Sequence, residues 1–270
     1  MSRSKIKNLL LLKQIHKAVA LIKKGKYEKA LQTLDKSEKA ARAAESTEAL
    51  YYILFTKGGI FYSASRYEEA LEVYESALEV GENLLSKAPQ NLDYQHYTGT
   101  TLGTLGNLLR KKGNFEAAAE KYALAMEIYD SLLLIAPENS LFRSYAGENL
   151  NNYGGLLLEM ASFEAAKPLL YQASEIYTAL LVDSPDNLSY QAELASVLSK
   201  LGSALIKTEI KSPVSSGEWL EEECGDERSK GQGFLKRALR IQEDLLKKEP
   251  ESKQVQKELA LTKERLGEAF

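Results

Sequence analysis

Apolar residues recur every three or four positions through most of the chain, and charged residues fill the positions between them. The stretch after Gly113 shows this pattern most clearly. Its apolar positions are Phe115, Ala118, Tyr122, Ala125, Tyr129, Leu132 and Ala136. Acidic residues, including Glu116 and Glu120, lie between them. An apolar stripe with a charged back is typical of an amphipathic α-helix, so the pattern predicts an all-α protein.

Several marker residues repeat at one interval of 48 residues. The series are Gly58, Gly106, Gly154 and Gly202; Pro89, Pro137 and Pro185; Asn91, Asn139 and Asn187; and the aromatic residues Tyr67, Phe115 and Phe163. The proline cannot continue a helix, and the asparagine two positions later can cap the next helix by accepting from its free amides. Gly113 can take the left-handed conformation that ends a helix. Each period therefore predicts two helices joined by a tight turn.

Extending this register predicts five helical hairpins and a closing helix. The hairpins are expected near residues 5–43, 46–88, 92–136, 140–182 and 188–248, and the closing helix near 252–269. We interpret residues 1–270 as a single solenoid domain. The turns at Ser65-Arg66 and Ala161-Ser162 lack glycine, so we expect them to be slightly different or slightly strained.

One interval is longer than the others, because Gly202 and Gly267 lie 65 residues apart. The extra length predicts a loop insertion at about 209–233 inside the fifth hairpin, where glycines such as Gly231 break the helical period. We expect the insertion to be partly helical, with a short helix from Trp219 to Cys224. The insertion contains the only tryptophan of the chain, Trp219, followed by Leu220. These two residues either anchor a partner, since tryptophan is enriched at binding hot spots, or pack the loop on its own solenoid. The sequence leaves both interpretations open.

The repeated unit resembles the tetratricopeptide repeat, which has a small residue in its first helix and alternates alanine with an aromatic residue along its second. One matching unit carries Leu105, Gly106, Leu109, Phe115, Ala118, Tyr122 and Ala125. The usual unit has about 34 residues, and the period here is longer. In this respect the chain resembles tandem tetratricopeptide arrays of archaea. The resemblance implies an α-solenoid, a right-handed superhelix of about five hairpins, whose concave groove receives a peptide segment or a partner helix.

The resemblance also implies that the first helix of each hairpin lines this groove. Carried over through the repeated glycines, the partner-binding positions are Tyr52, Phe55, Tyr62, Asn107, Arg110, Asn151, Ser199 and Ser203. The groove is therefore expected to be aromatic toward its N-terminal end and polar further on. Asparagine amides can bond the backbone of an extended peptide without reading its sequence. Core packing is the competing interpretation of the aromatic positions.

Charge and composition argue against other functions. The 35 basic and 38 acidic residues give a net charge of -3, so we expect no nucleic-acid partner. The apolar run near the N-terminus is interrupted at Lys13, so we expect no membrane span and a cytoplasmic location. Cys224, His16 and His96 have no ligand-like spacing, which predicts neither a metal nor a cofactor. Nucleophile elbows and phosphate-cradling loops are also missing from the sequence, which predicts a non-enzymatic scaffold.

Two alternatives to a peptide-binding scaffold remain open. In the first, copies of the protein assemble through the apolar stripe of the closing helix, which consists of Val255, Leu259, Thr262, Leu266 and Phe270. If that stripe caps the array instead, the protein is expected to be a monomer, which is the state we predict. In the second alternative, the insertion at 209–233 closes as a lid over a small ligand.

Overall fold

A computed structural model describes residues 3–211 and 221–268, with side chains at residue 11 and over 13–208 and 227–268. Within these ranges the chain forms eleven α-helices and no β-strand, which confirms the predicted all-α class. The helices group into two compact units, Met1–Leu132 and Leu133–Phe270. The single domain expected over 1–270 stays a prediction.

Three helical hairpins make up unit 1. Its helices are α1 (Arg3–Ile22), α2 (Tyr27–Ala43), α3 (Thr47–Ser63), α4 (Tyr67–Lys87), α5 (Leu92–Lys111) and α6 (Phe115–Ile135), which ends just beyond the unit boundary. Leu34, Ile53 and Ile60 are among the fully buried side chains of its core. The bounds agree with the predicted hairpins to within a few residues.

Unit 2 contains two hairpins and the closing helix. Its helices are α7 (Ser140–Glu159), α8 (Phe163–Asp183), α9 (Leu188–Lys211), α10 (Glu221–Lys248) and α11 (Lys253–Gly267). Leu156, Leu170 and Leu235 are fully buried between them. The apolar stripes of the sequence therefore supply the core of this unit as well.

The Pro-x-Asn punctuation begins a helix in the predicted way. The side-chain oxygen of Asn91 accepts from the amides of Asp93 at 3.0 Å and Tyr94 at 3.2 Å. Asn139 caps α7 with the same geometry, accepting from two amides at 3.0 and 3.2 Å. Because these amides have no partner within the helix, each cap satisfies donors that would otherwise need water.

The tight turns use left-handed backbone conformations, with or without glycine. Gly113 has a φ of 79°, whereas Ser65 and Ala161 have φ values of 59° and 54°. A side chain at such a φ places Cβ close to the following carbonyl group, which costs about 1–2 kcal/mol. The expected strain at the two turns that lack glycine is thus present in the backbone.

Ala161→Gly is expected to raise the free energy of unfolding by about 1 kcal/mol, because glycine adopts this φ without the Cβ penalty. Urea unfolding of the full chain measures the change. Ala179→Gly is the matched control, because Ala179 is exposed inside α8 and its replacement should lower stability by about 1 kcal/mol. Equal losses in both variants would show that the turn is not strained.

The repeated glycines lie where the two helices of a hairpin cross. A Cβ added at Gly58, Gly106 or Gly154 would come within 2.7 Å of a side chain on the second helix. At Gly202 the contact would be with backbone instead of a side chain, since the added Cβ would lie 2.7 Å from the carbonyl oxygen of Gly231. The 48-residue glycine series is therefore explained by close approach of helices rather than by turns.

The predicted insertion is wrong over its second half. We expected a loop through about residue 233, whereas α10 begins at Glu221 and continues to Lys248. Gly231 suggested a helix break in the sequence, but its lack of a side chain allows α10 to approach Gly202 of α9. Trp219 and Leu220, the predicted insertion anchor, lie outside the described residues.

The closing helix α11 turns the described part of its apolar stripe toward its neighbours, whereas Phe270 lies outside the described residues. Val255 and Thr262 are buried, and Leu266 packs against Ile206 of α9 and Leu235 of α10. This covered stripe is the arrangement expected of a cap. The monomeric state stays a prediction.

Candidate functional site

The first helices of successive hairpins adjoin within each unit, and we call the side on which they do so the A face. In unit 1 the A face is formed by α3 and α5, with α1 packed beside α3, and in unit 2 by α7 and α9, with α11 packed beside α9. Five of the predicted partner-binding residues lie on the helices of the A face in unit 1, and three lie on those in unit 2.

An exposed tyrosine pair marks the A face of unit 1. Tyr52 of α3 keeps 37% of its surface exposed, and its hydroxyl is hydrogen-bonded to that of Tyr97 on α5. The two rings meet edge to face with centroids 5.2 Å apart. Tyr97 also stacks on Tyr51, with centroids 4.8 Å apart. The pair therefore offers a rigid aromatic surface with hydroxyl groups at its edge.

The other two aromatic candidates are half-buried. Phe55 stacks on Tyr51 at a centroid distance of 5.8 Å and meets Tyr74 of α4 edge to face at 5.4 Å. Tyr62 lies beside Tyr67, and burial raises the pKa of its hydroxyl. Packing within the second hairpin accounts for most of the surface of both side chains.

Asn107 and Arg110 occupy the last turns of α5. The side-chain oxygen of Asn107 accepts a hydrogen bond of 2.7 Å from the hydroxyl of Tyr122 on α6. Arg110 is half-buried and close enough to Tyr62 for its positive charge to oppose the rise in the pKa of that hydroxyl. Both residues retain solvent-accessible surface, so their polar atoms can meet a partner.

Asn151 of unit 2 is buried and ties α7 to α9. Its amide nitrogen donates to Glu193 at 3.0 Å, and its side-chain oxygen accepts from Lys200 at 2.7 Å. Lys200 also donates to the Asn151 carbonyl group at 3.3 Å. The asparagine thus orients one acidic and one basic side chain of α9, and its own amide is already bonded.

The two serine candidates are also buried. The hydroxyl oxygen of Ser199 lies 2.8 Å from that of Thr262 and accepts from Arg265 at 2.7 Å, so it joins α9 to α11. Ser203 is 6% exposed, one helical turn further along α9. Direct contact between a partner and these serines stays a prediction.

Glu148 was not predicted, although it is the most unusual titratable group of this face. Its side chain is exposed on α7, yet the surrounding protein desolvates the carboxyl group and raises its pKa to about 7. The negative charge of Glu193 adds to the rise. Glu148 of α7 and Glu193 of α9 thus bring two interacting carboxyl groups together on the A face of unit 2.

The repeat contains a signal that would have found these residues. Glu148 and Tyr52 are two 48-residue periods apart, as are Glu193 and Tyr97. Helix positions related by the period occupy equivalent places on the A faces of the two units. Because Tyr52 was among the predicted partner-binding residues, carrying its position forward by two periods would have identified Glu148.

Other kinds of site find little support in the described part of the chain. Its His, Cys, Asp and Glu residues form no group of three or more that could hold a metal ion. Among the same residues, no helix is long and apolar enough to cross a membrane.

Part of the third hairpin matches a known repeat family. Residues 101–136, which include most of α5 and all of α6, match the family model of the tetratricopeptide repeat. The chain contains a tetratricopeptide repeat. The predicted resemblance to this family is confirmed, whereas the likeness to archaeal arrays stays a prediction. No curated protein sequence matches the chain significantly.

Solved structures share the fold at low sequence identity. BtubC (BKLC) from P. vanneervenii is 15% identical, with a TM-score of 0.56, and the alignment covers 91% of this chain and 93% of that chain. A protein from Podosopora anserina, whose TPR-like repeats are nearly identical to one another, shares 14% sequence identity with this chain, with a TM-score of 0.54. The alignment covers 84% of this chain and 95% of that chain. RapI in its apo form is 12% identical, with a TM-score of 0.53 and coverage of 93% and 73%. These similarities concern the fold alone.

Proposed function

We propose that this tetratricopeptide-repeat protein is a non-enzymatic scaffold that binds a peptide segment or a helix of a partner protein on its A faces. The fold supports a protein-interaction scaffold, since stacked hairpins present rows of side chains to an extended partner. In unit 1 we assign the contacts to Tyr52, Asn107 and Arg110. In unit 2 we assign them to Glu148 and to the groups that Asn151 orients.

The observation that carries this proposal is the exposed Glu148 of α7, which lies close enough to Glu193 of α9 for the two charges to interact. By linkage, a raised pKa means that the folded protein binds a proton more tightly than the unfolded chain does. Stability is therefore lost as the pH rises from about 4.5 to about 7, where the carboxyl group becomes ionised in the fold. A partner that donates hydrogen bonds to the ionised Glu148 removes this unfavourable desolvation.

The charges around Glu148 favour a partner segment with its own polar groups. Glu148 and Glu193 accept hydrogen bonds, whereas Lys200 donates them. A peptide backbone supplies both donors and acceptors, so it can satisfy each of these groups. Neighbouring side chains of α7 and α9 then read the sequence of the partner.

Affinity capture tests the proposal with a charge reversal and its matched control. Immobilised wild type, Glu148→Lys and Glu175→Lys are incubated with native extract, and the retained proteins are identified by mass spectrometry. Glu175 is exposed on α8, and its side chain makes no hydrogen bond or ion pair with the described residues. We expect the same partner on wild type and Glu175→Lys and its loss from Glu148→Lys. Retention of one set of proteins by all three baits would contradict the proposal.

Measuring the affinity of the captured partner against pH adds a second criterion. Because the pKa of Glu148 is about 7 in the free protein, affinity should rise between about pH 6 and pH 8. The rise should be up to about ten-fold if binding of the partner lowers that pKa by one unit. Glu148→Gln should abolish this pH dependence. An unchanged profile in that variant would assign the titration to another group.

A further inference from the structure

The first hairpin is far more basic than the rest of the chain. Residues 1–43 contain 12 basic and 3 acidic residues, whereas residues 44–270 contain 23 and 35. The net charge of the whole chain hides this asymmetry. Such a concentration of one charge in a single hairpin favours a partner of opposite charge.

A groove of about 810 Å³ lies between α1 and α2 of this hairpin. Apolar groups of Leu11, Leu21, Ala40 and Ala43 line it, and both alanines are exposed to solvent. The groove belongs to unit 1 but involves neither α3 nor α5, which form the A face.

Three lysines, Lys17, Lys29 and Lys36, line the same groove, and none of the described residues that line it is acidic. Each of the three is exposed and makes no ion pair with any described side chain. Their charges are therefore available to a ligand. A groove whose apolar groups are flanked by unpaired lysines is complementary to a helix whose apolar stripe is flanked by acidic residues.

Two of the three acidic residues of α2 pair with α3 instead of facing the groove, and the third, Glu28, is not among the residues that line it. Asp35 and Glu38 both accept from Lys57 of α3 at 2.8 Å. At about 100° per residue, they lie at least about 100° around the helix from Lys36. α2 is thus divided into a side that pairs with α3 and a basic side that faces the groove.

We infer that this groove docks an amphipathic helix of a partner protein, with acidic residues on both flanks of its apolar stripe. The apolar stripe enters between α1 and α2, as in helix-in-groove recognition. The acidic flanks meet Lys17 on one helix and Lys29 and Lys36 on the other. This surface is distinct from the A faces and does not depend on their function.

The apolar lining separates this ligand from other polyanions. Nucleic acids are held mainly through their phosphates, which gain nothing from the leucine and alanine groups. A membrane surface is broad and cannot follow a recess between two helices. A helix has the right width, because packed helices approach to about 8–10 Å between axes.

A synthetic helix provides the probe. A labelled peptide of about three heptads carries Leu at the a and d positions and Glu at the flanking e and g positions. Fluorescence anisotropy measures its binding to the full chain. A scrambled peptide of the same composition has the charge without the stripe, and a version with Lys for Glu has the stripe with the opposite charge. Only the first peptide is expected to bind.

Two triple variants with the same change in net charge locate the site. Lys17→Glu/Lys29→Glu/Lys36→Glu reverses the lysines of the groove, whereas Lys13→Glu/Lys24→Glu/Lys39→Glu reverses exposed lysines outside it. We expect the groove variant to weaken binding by about ten-fold or more and the control to weaken it by less than about three-fold. Ala40→Gln should also weaken binding by filling the groove without a change of charge.

Circular dichroism and thermal unfolding establish that the variants fold, and Glu175→Lys, in the other unit and outside the A face, should bind the peptide as wild type does. Equal losses in the two triple variants would overturn the inference, because they would indicate diffuse attraction. Equal binding of the scrambled peptide would also overturn it. The inference would also be overturned if duplex DNA or anionic vesicles bound more tightly than the peptide and both triple variants weakened that binding equally.

Discussion

Gly202→Ala is expected to lower the free energy of unfolding of unit 2 by about 2 kcal/mol, although alanine is the better helix former. The new Cβ would lie 2.7 Å from the carbonyl oxygen of Gly231 and 2.8 Å from Leu235 Cγ. Backbone atoms cannot move aside as the end of a flexible side chain can. α9 and α10 must therefore separate, which weakens the packing along their whole contact.

Gly233→Ala is the control for this prediction. Gly233 also lies inside α10, but a Cβ there would meet no atom within 4 Å. This substitution should raise stability by up to about 1 kcal/mol through helix propensity alone. Urea unfolding followed by circular dichroism compares the two variants. A gain in stability for Gly202→Ala would disprove the close crossing of α9 and α10.

Gly154→Leu is expected to be at least as severe, with a loss of about 3 kcal/mol. Even the first added atom would lie 2.7 Å from Leu170 Cγ and Cδ2, and Leu170 is fully buried. The larger side chain must push α7 and α8 apart or force Leu170 from its rotamer. A loss below about 0.5 kcal/mol, the usual range at a surface, would contradict this packing.

A size swap isolates the contact between these two residues. Leu170→Ala alone should cost about 2–5 kcal/mol by leaving a cavity in the core. In Gly154→Leu/Leu170→Ala the new leucine occupies part of that cavity, so the double variant should lose less than the sum of the single losses. Additive losses would show that the two positions do not share one space.

The sequence alone was sufficient to predict the architecture, because each boundary has a local cause. Asn91 and Asn139 begin helices with side-chain caps, and the apolar period identifies the buried stripe between them. The role of Gly231 could not be recognised in this way. A glycine that breaks a helix and a glycine that admits a neighbouring helix look alike until the position of Gly202 is known.

The candidate site was harder to predict because the first helices are buried on most sides. In α7 the consecutive residues Asn149, Leu150 and Asn151 are all buried, so periodicity does not reveal which side faces a partner. The prediction selected Asn151, whereas Glu148, one turn earlier, is exposed. A shift of one helical turn therefore separates the exposed residue, which a partner can contact, from the buried residue that orients other side chains.

Hydrogen exchange of the protein with and without its captured partner tests the proposed scaffold most directly. If the A faces bind the partner, amide exchange should slow in α3 and α5 of unit 1 and in α7 and α9 of unit 2. Exchange in α4 and α8, the second helices of their hairpins, should change little. Protection confined to the second helices, or no protection in any first helix, would contradict binding on the A faces.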